Sequence, residues 1–391
     1  MKTLITGVST RAIAESAGKS GHDFFTIDYF GDSDQKQAVE NYSMLRDFNM
    51  PFRAENLIQA SGEFNFNSLV YISNFENFPD LLEKISGEID ILGNSPDTLR
   101  NVRDWKKLRD FMIRSSIPFP DTLLPGEENK AEGQTGWLLK PTNSGGGTRI
   151  KKWEGEELSD SQTIQKHIPG IPVSAAFLAN GQDSVLMGLS AQLIGLEELG
   201  TKGFTWCGNI LPLPFNRKTC LDLIYKIEKY ISSFVSHFGL KGACGIDFII
   251  SGNDMEGFKV FFLEINPRYT ASMELVEIAY GLNIYTLHIN AVKGELPHFS
   301  LAAQTSRNYY AKGILFAKNN IKIKDTERWK VKGLRDIPFE GDEIKKGHPV
   351  CTILTEGDDY RACESNLFRM ADKLRLETGD IPTACGIRKA I

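Results

Sequence analysis

The chain has 391 residues, of which 41% are hydrophobic and 24% charged, with 35 glycines; at roughly 150 residues per domain this implies two or three packed globular units. Lys and Arg number 45 against 50 Asp and Glu, a net charge of −5, so no basic field exists to hold nucleic acid, and small molecules are the expected partners. Six cysteines (Cys207, Cys220, Cys244, Cys351, Cys363 and Cys385) contain no C-x-x-C pair, and no apolar run has the length of a leader or membrane span; a reduced cytoplasmic setting without membrane attachment is expected.

The opening reads as βαβ: an apolar strand Thr3 to Thr6, a loop Gly7 to Arg11, a helix from Ala12 and a β-rich Phe24 to Ile27. Strands at Leu69 to Ile72 and Ile89 to Leu92, with a helix over Phe78 to Ile85, extend this to an open parallel sheet. A boundary falls near Asn94 to Asp97, where Ser95 can cap a helix that begins at Pro96. The spacing of Leu99, Val102, Trp105, Leu108 and Met112 predicts that this helix runs on. From about residue 136 the pattern changes to hairpins with Gly-rich turns, interrupted by an amphipathic helix from Leu221 to Phe238 that stops at Gly239. After Pro297, Ile321 to Lys324 and Trp329 to Lys332 alternate as half-exposed strands would, and a last helix covers Arg361 to Leu376.

Two phosphate-binding signatures fail. Gly18-Lys19-Ser20 has Ile13 where a P-loop requires glycine, and the Gly7 to Arg11 loop carries Ser9 and Ala12 in place of the later glycines of a dinucleotide fingerprint. None of the six histidines forms an i, i+4 metal pair.

Two other segments carry chemistry. Phe261 to Arg268 is an apolar strand ending in Glu264, Asn266 and Arg268, with Glu264 and Asn266 on one face. Gly245 to Ile250 is a second buried strand bearing Asp247, and the Ser251 to Gly257 turn joins the two as an antiparallel hairpin in which Asp247 can face Glu264. Carboxylates in apolar strands require a partner, and two of them with an amide oxygen suit Mg²⁺ or a similarly hard ion such as Mn²⁺. The run Trp137 to Arg149 places Lys140 at a strand end before Ser144, Gly145, Gly146 and Gly147, a loop whose amides can approach phosphate oxygens. A lysine, a glycine loop and an acidic pair are the parts of phosphoryl transfer from ATP. The bland readings are a glycine hairpin tip and structural carboxylates.

Taken in order, these elements resemble the ATP-grasp superfamily of carboxylate-amine ligases and biotin-carboxylase-like enzymes, and within it a branch of predicted ATP-dependent carboligases. The resemblance implies an α/β (α+β overall) chain in three parts: a Rossmann-like preATP-grasp domain over 1–95, a two-lobed ATP-grasp domain over 96–297, and a small β-rich C-terminal domain over 298–391. It implies ATP-binding roles for Lys106, Lys140, Ser144 to Gly147, Gln165, Lys166 and Ile168, with Lys107 the alternative to Lys106. Asp247, Glu264 and Asn266 would be metal ligands, and Arg268 with Lys140 would act on the transferred phosphoryl group. Gln165, Pro172 and Ser174 depart from the acidic residues usual in the linker and at the ribose, and the hairpin is longer than usual. Ser9, Arg11, Glu76, Asn77 and Glu274 are the candidates for the acceptor. The implied activity joins a small-molecule carboxylate to an amine through an acylphosphate, releasing ADP and phosphate, in cofactor biosynthesis tied to one-carbon metabolism. A homodimer is the implied assembly. The alternatives are a carboxylase using bicarbonate, against which no biotin-accepting M-K-M segment occurs, and a non-catalytic ATP-binding regulatory protein.

Overall fold

The computed structural model describes residues 2–253, 255, 257–304 and 308–381. Cys385, residues 254 and 256 of the hairpin turn, and the tail 382–391 lie outside them. The first unit alternates β1 (Thr3–Gly7), α1 (Arg11–Gly18), β2 (Phe24–Asp28), α2 (Ser33–Ala38), β3 (Asn41–Ser43), α3 (Ala54–Ser61), β4 (Ser68–Tyr71), α4 (Pro79–Ile85) and β5 (Asp90–Ile91). Its five strands are parallel in the order β3-β2-β1-β4-β5, and β1 is buried along its whole length, as a sheet covered on both faces requires. The failed P-loop match Gly18 to Ser20 lies at the C-terminal end of α1, not at a strand-to-helix turn.

The junction differs from the expected single helix. It holds α5 (Pro96–Arg103), capped by Ser95 Oγ accepting from the Thr98 amide, and a separate α6 (Trp105–Arg114). Asp104 adopts an extended conformation and its carboxylate accepts from the Lys106 and Lys107 amides, so an N-cap restarts the helix although the apolar spacing passes straight through. Next, β6 (Thr122–Leu123), β7 (Trp137–Pro141), β8 (Lys151–Lys152) and β9 (Gln162–Lys166) form a small sheet in the order β6-β9-β7-β8.

The largest sheet has eight strands. Its first part comprises β10 (Ile171–Asn180), β11 (Ser184–Ile194), β12 (Trp206–Leu211), β13 (Lys241–Asn253) and β14 (Gly257–Asn266), with α7 (Arg217–Phe238) inserted after β12. The α7 stripe Leu223, Ile224, Ile227, Ile231, Phe234 and Val235 packs on Phe248 and Phe262 of that sheet, each fully buried side chain contributing about 1.5–3 kcal/mol. Two helices, α8 (Met273–Tyr280) and α9 (Ile284–Val292), then lead to β15 (Tyr309–Phe316), β16 (Ile321–Lys322), β17 (Leu334–Arg335), β18 (Glu343–Ile344), β19 (Pro349–Gly357) and α10 (Tyr360–Thr378). β15 pairs with β12, so β15, β19 and β17 continue the eight-stranded sheet, in the order β14-β13-β10-β11-β12-β15-β19-β17. The expected strand at Trp329 to Lys332 is instead a 3-10 turn over Lys330–Lys332, and the strand at Ile321 ends at Lys322. Alternation there reflects Ile321, Ile323 and Trp329 anchoring a loop in the core. Among the described residues no helix is long and apolar enough to cross a membrane, and the five described cysteines are free thiols.

Candidate active site

A cavity of about 780 Å³ opens where the loops after β1 and β4 meet the small sheet and the face of the eight-stranded sheet. Crevices at the carboxyl ends of parallel strands are where open α/β sheets place ligands. Gly7 makes the junction tight: a Cβ there would sit 2.3 Å from Ile72 Cγ1 and 2.7 Å from the Ser73 carbonyl oxygen.

Asp247 lies directly opposite Glu264 in the register of β13 and β14, with a bulge immediately after Asp247, and both line the cavity. Ser174 on β10 donates its hydroxyl to Asp247 Oδ1 at 2.7 Å, and Asn266 Nδ2 donates to Oδ2 at 3.2 Å. Burial foremost, and then the charge of Glu264, push the Asp247 carboxyl up to about 7. Two half-buried carboxylates that repel one another are chemically suited to share a cation. No group of three His, Cys, Asp or Glu side chains is placed for a metal among the described residues, so an ion here would take these two carboxylates and the Asn266 amide oxygen. That oxygen now accepts from Arg268 Nη2 at 3.3 Å. The all-oxygen donor set fits Mg²⁺.

Lys140, at the end of β7, donates to Gln165 Oε1 at 3.0 Å. Burial lowers its ammonium, opposed by Glu264 and Asp247, which places the lysine in the field of the acidic pair. The glycine loop lies against the large sheet: the Gly146 carbonyl accepts from the Trp206 amide at 2.9 Å. Gly147 has φ +68°, and a Cβ there would meet the Phe204 carbonyl oxygen at 2.0 Å, so any other residue would force the loop away. Arg268 Nε donates to Glu76 Oε1 at 2.8 Å and Nη1 to the Tyr269 carbonyl at 3.1 Å. The preceding Pro267 carbonyl is fixed by Asn94 Nδ2 at 2.9 Å, and Asn94 also clamps both backbone groups of Lys241. The turn after β5 therefore aims Arg268.

Ser144 to Gly147, Gln165, Lys166, Ile168, Ser9, Arg11 and Glu76 also line the cavity. Lys106, Asn77 and Glu274 do not. Lys106 is exposed in the first turn of α6, and Lys107 bonds Asn101. The cation at the base of the glycine loop is Arg103, which donates to the Thr142 carbonyl at 2.6 Å and to Asn77 Oδ1 at 2.5 Å; Asn77 is thereby a support of Arg103. Arg11 and Glu274, expected near the acceptor, bind each other. The guanidinium, fully buried, pairs with both Glu274 oxygens and with Asp336 at 3.0 and 3.2 Å, while Lys312 Nζ reaches Glu274 Oε2 at 2.6 Å. Arg11 and Lys312 hold the Glu274 carboxyl well below its usual range in spite of burial. Lys312 and Asp336 carried no local signal in the sequence. Their partners lie 38 to 325 residues away, and Lys312 had only its place in an apolar strand to mark it.

The ATP-grasp domain family matches residues 103–272. The chain is 24% identical over 384 residues to an uncharacterised protein of Methanocaldococcus jannaschii, covering 91% of this chain and 88% of that one. Among solved structures it resembles the biotin carboxylase domain of the Hydrogenobacter thermophilus 2-oxoglutarate carboxylase, crystallised with MgADP and bicarbonate (TM-score 0.72, 15% identity, 95% and 89% covered). It also resembles an L-amino acid ligase from Bacillus licheniformis (TM-score 0.66, 16% identity, 95% and 97% covered). At these identities the likeness is one of fold.

Proposed function

We propose that this chain, an ATP-grasp enzyme, is a ligase that joins a small-molecule carboxylate to an amine at the expense of ATP. The observation that carries the reading is the convergence of Asp247, Glu264, Lys140 and Arg268 on one cavity beneath a glycine loop. In this reading the amides of Ser144 to Gly147 and Lys140 hold the nucleotide phosphates, with Gln165 to Ile168 along the base. Asp247, Glu264 and Asn266 would hold Mg²⁺, which supplies charge neutralisation on the phosphates. The acid's carboxylate oxygen attacks the γ-phosphorus and ADP leaves. The amine nitrogen then attacks the acyl carbon, phosphate departs, and the nitrogen gives up a proton. Arg268 stabilises the negative charge on the acylphosphate; its bonds to Glu76 and to Asn266 hold the guanidinium between the first unit and the acidic pair. No protein nucleophile takes part. The L-amino acid ligase, of the same fold, is an instance of amide formation on this architecture.

The test is phosphate release from MgATP across a panel of acids and amines, with a bicarbonate arm. Release that requires one acid and one amine is expected. Release with bicarbonate alone would instead make the chain a carboxylase.

A further inference from the structure

The cavity end built by the first unit is lined by oxygens that lack hydrogen-bond donors. Among the described residues, Asp32 Oδ2, Asn74 Oδ1 and Glu76 Oε2 are buried without a partner, and all three residues line the cavity. Asp32 is only 7% exposed and Glu76 only 3%. Buried acceptors without donors are rare in folded proteins and call for an absent partner. Glu76 shares its other oxygen with Arg268, so its pair is neutral. Asp32 has no direct ion-pair partner among the described residues, and the charge of Arg11, engaged with Glu274 and Asp336, offsets its burial only in part. Burial, followed by the charges of Asp336, Asp28 and Asp34, disfavours its ionised form.

Cations at this end are already matched. Arg11 is divided between Glu274 and Asp336, Lys312 is bound to Glu274, and Arg268 faces Glu76. A ligand carboxylate placed beside Asp32 would find no free positive charge, whereas an ammonium would supply the charge that Asp32 lacks. The segments that carry these groups follow β2 and β4, which flank β1 and are therefore two inter-strand spacings apart, about 10 Å at the strand ends. Two donors on a short chain suit acceptors presented from strands so separated.

Building on the ligase reading, we propose that the amine substrate is a diamine without a carboxylate. Its attacking nitrogen is oriented by Glu76 Oε2 and Asn74 Oδ1 beside Arg268, and its second donor is bound by Asp32 Oδ2. Such a ligand differs from the amino acids that the similarly folded L-amino acid ligase is named for.

The test is calorimetric titration of the full chain, loaded with MgADP, with putrescine and separately with γ-aminobutyrate, which exchanges the second ammonium for a carboxylate. Putrescine is expected to bind and γ-aminobutyrate to bind at least about tenfold more weakly, a difference of about 1.4 kcal/mol. Asp32→Asn should weaken putrescine by a similar factor while leaving MgADP affinity and the melting temperature in place. Equal binding of the two compounds, or wild-type putrescine affinity in Asp32→Asn, overturns the subsite. If Asp32→Asn does not fold, the wild-type comparison alone decides. Failure of MgADP to bind counts against the ligase reading, and putrescine titrated into the nucleotide-free protein then decides the subsite.

Discussion

Glu274→Gln should loosen the first unit from the large sheet. Glu274 is 7% exposed and stands between a guanidinium from α1 and an ammonium from β15. Removing its charge leaves Lys312, 5% exposed, without the carboxylate it contacts, and leaves Asp336 to serve both Arg11 directly and Lys312 at longer range. Breaking a buried pair from one side costs about 3–5 kcal/mol, because the remaining charge stays desolvated. The contrasting substitution is Lys19→Ala. Lys19 binds Glu277 at 2.9 Å across the same interface, but its side chain is 64% exposed, and exposed pairs contribute about 0–1 kcal/mol. Native-state hydrogen exchange on the amides of α1 reads the local opening free energy directly. Glu274→Gln should lower it by several times more than Lys19→Ala. Equal effects would refute the claim that the Arg11–Glu274–Lys312 cluster fastens the first unit over the cavity.

Three further outcomes are expected. His288 accepts from the Ala243 amide at 2.8 Å and burial pushes it down from 6.5 to about 4; since the folded state favours neutral imidazole, stability is full above the unfolded value and falls by about 3 kcal/mol as pH drops through that window. His288→Gln should flatten this segment of a urea-unfolding pH profile, and an unchanged slope would exclude His288 as its source. Gly147→Ala should lower both the melting temperature and ATP turnover, since its Cβ would meet the Phe204 carbonyl at 2.0 Å, whereas Gly145→Ala, with open space around its Cβ, should leave the melting temperature alone. Asp247→Asn should raise the melting temperature in EDTA by relieving repulsion from Glu264, and should abolish stabilisation by MgCl₂. A magnesium response that survives in this variant would place the ion elsewhere.

Local chemistry was readable from the residues themselves. The period-two strands and the turn between them put Asp247 opposite Glu264, Ser95 marked a helix start, and Gly239 marked a helix stop. Errors arose where one signal masked another. The apolar spacing across Trp105 concealed the cap at Asp104, which restarts the helix just before Lys106. The alternation near Trp329 belonged to an anchored turn. What joins distant segments could not be read at all. Nothing near Arg11 reports that Glu274 and Asp336 will bury it, and nothing in Tyr309–Phe316 reports that it extends the central sheet. Such pairings are decided by tertiary packing, which overrides local preference.

The most direct measurement follows the carboxylate oxygen. With MgATP, the accepted amine and an acid labelled with heavy oxygen in its carboxylate, one labelled oxygen should appear in the released phosphate, because the acyl–oxygen bond breaks when the amine attacks. The same transfer should vanish in Glu264→Gln while that variant remains folded. Phosphate released without label, or undiminished transfer in Glu264→Gln, would contradict ligation through an acylphosphate at this site.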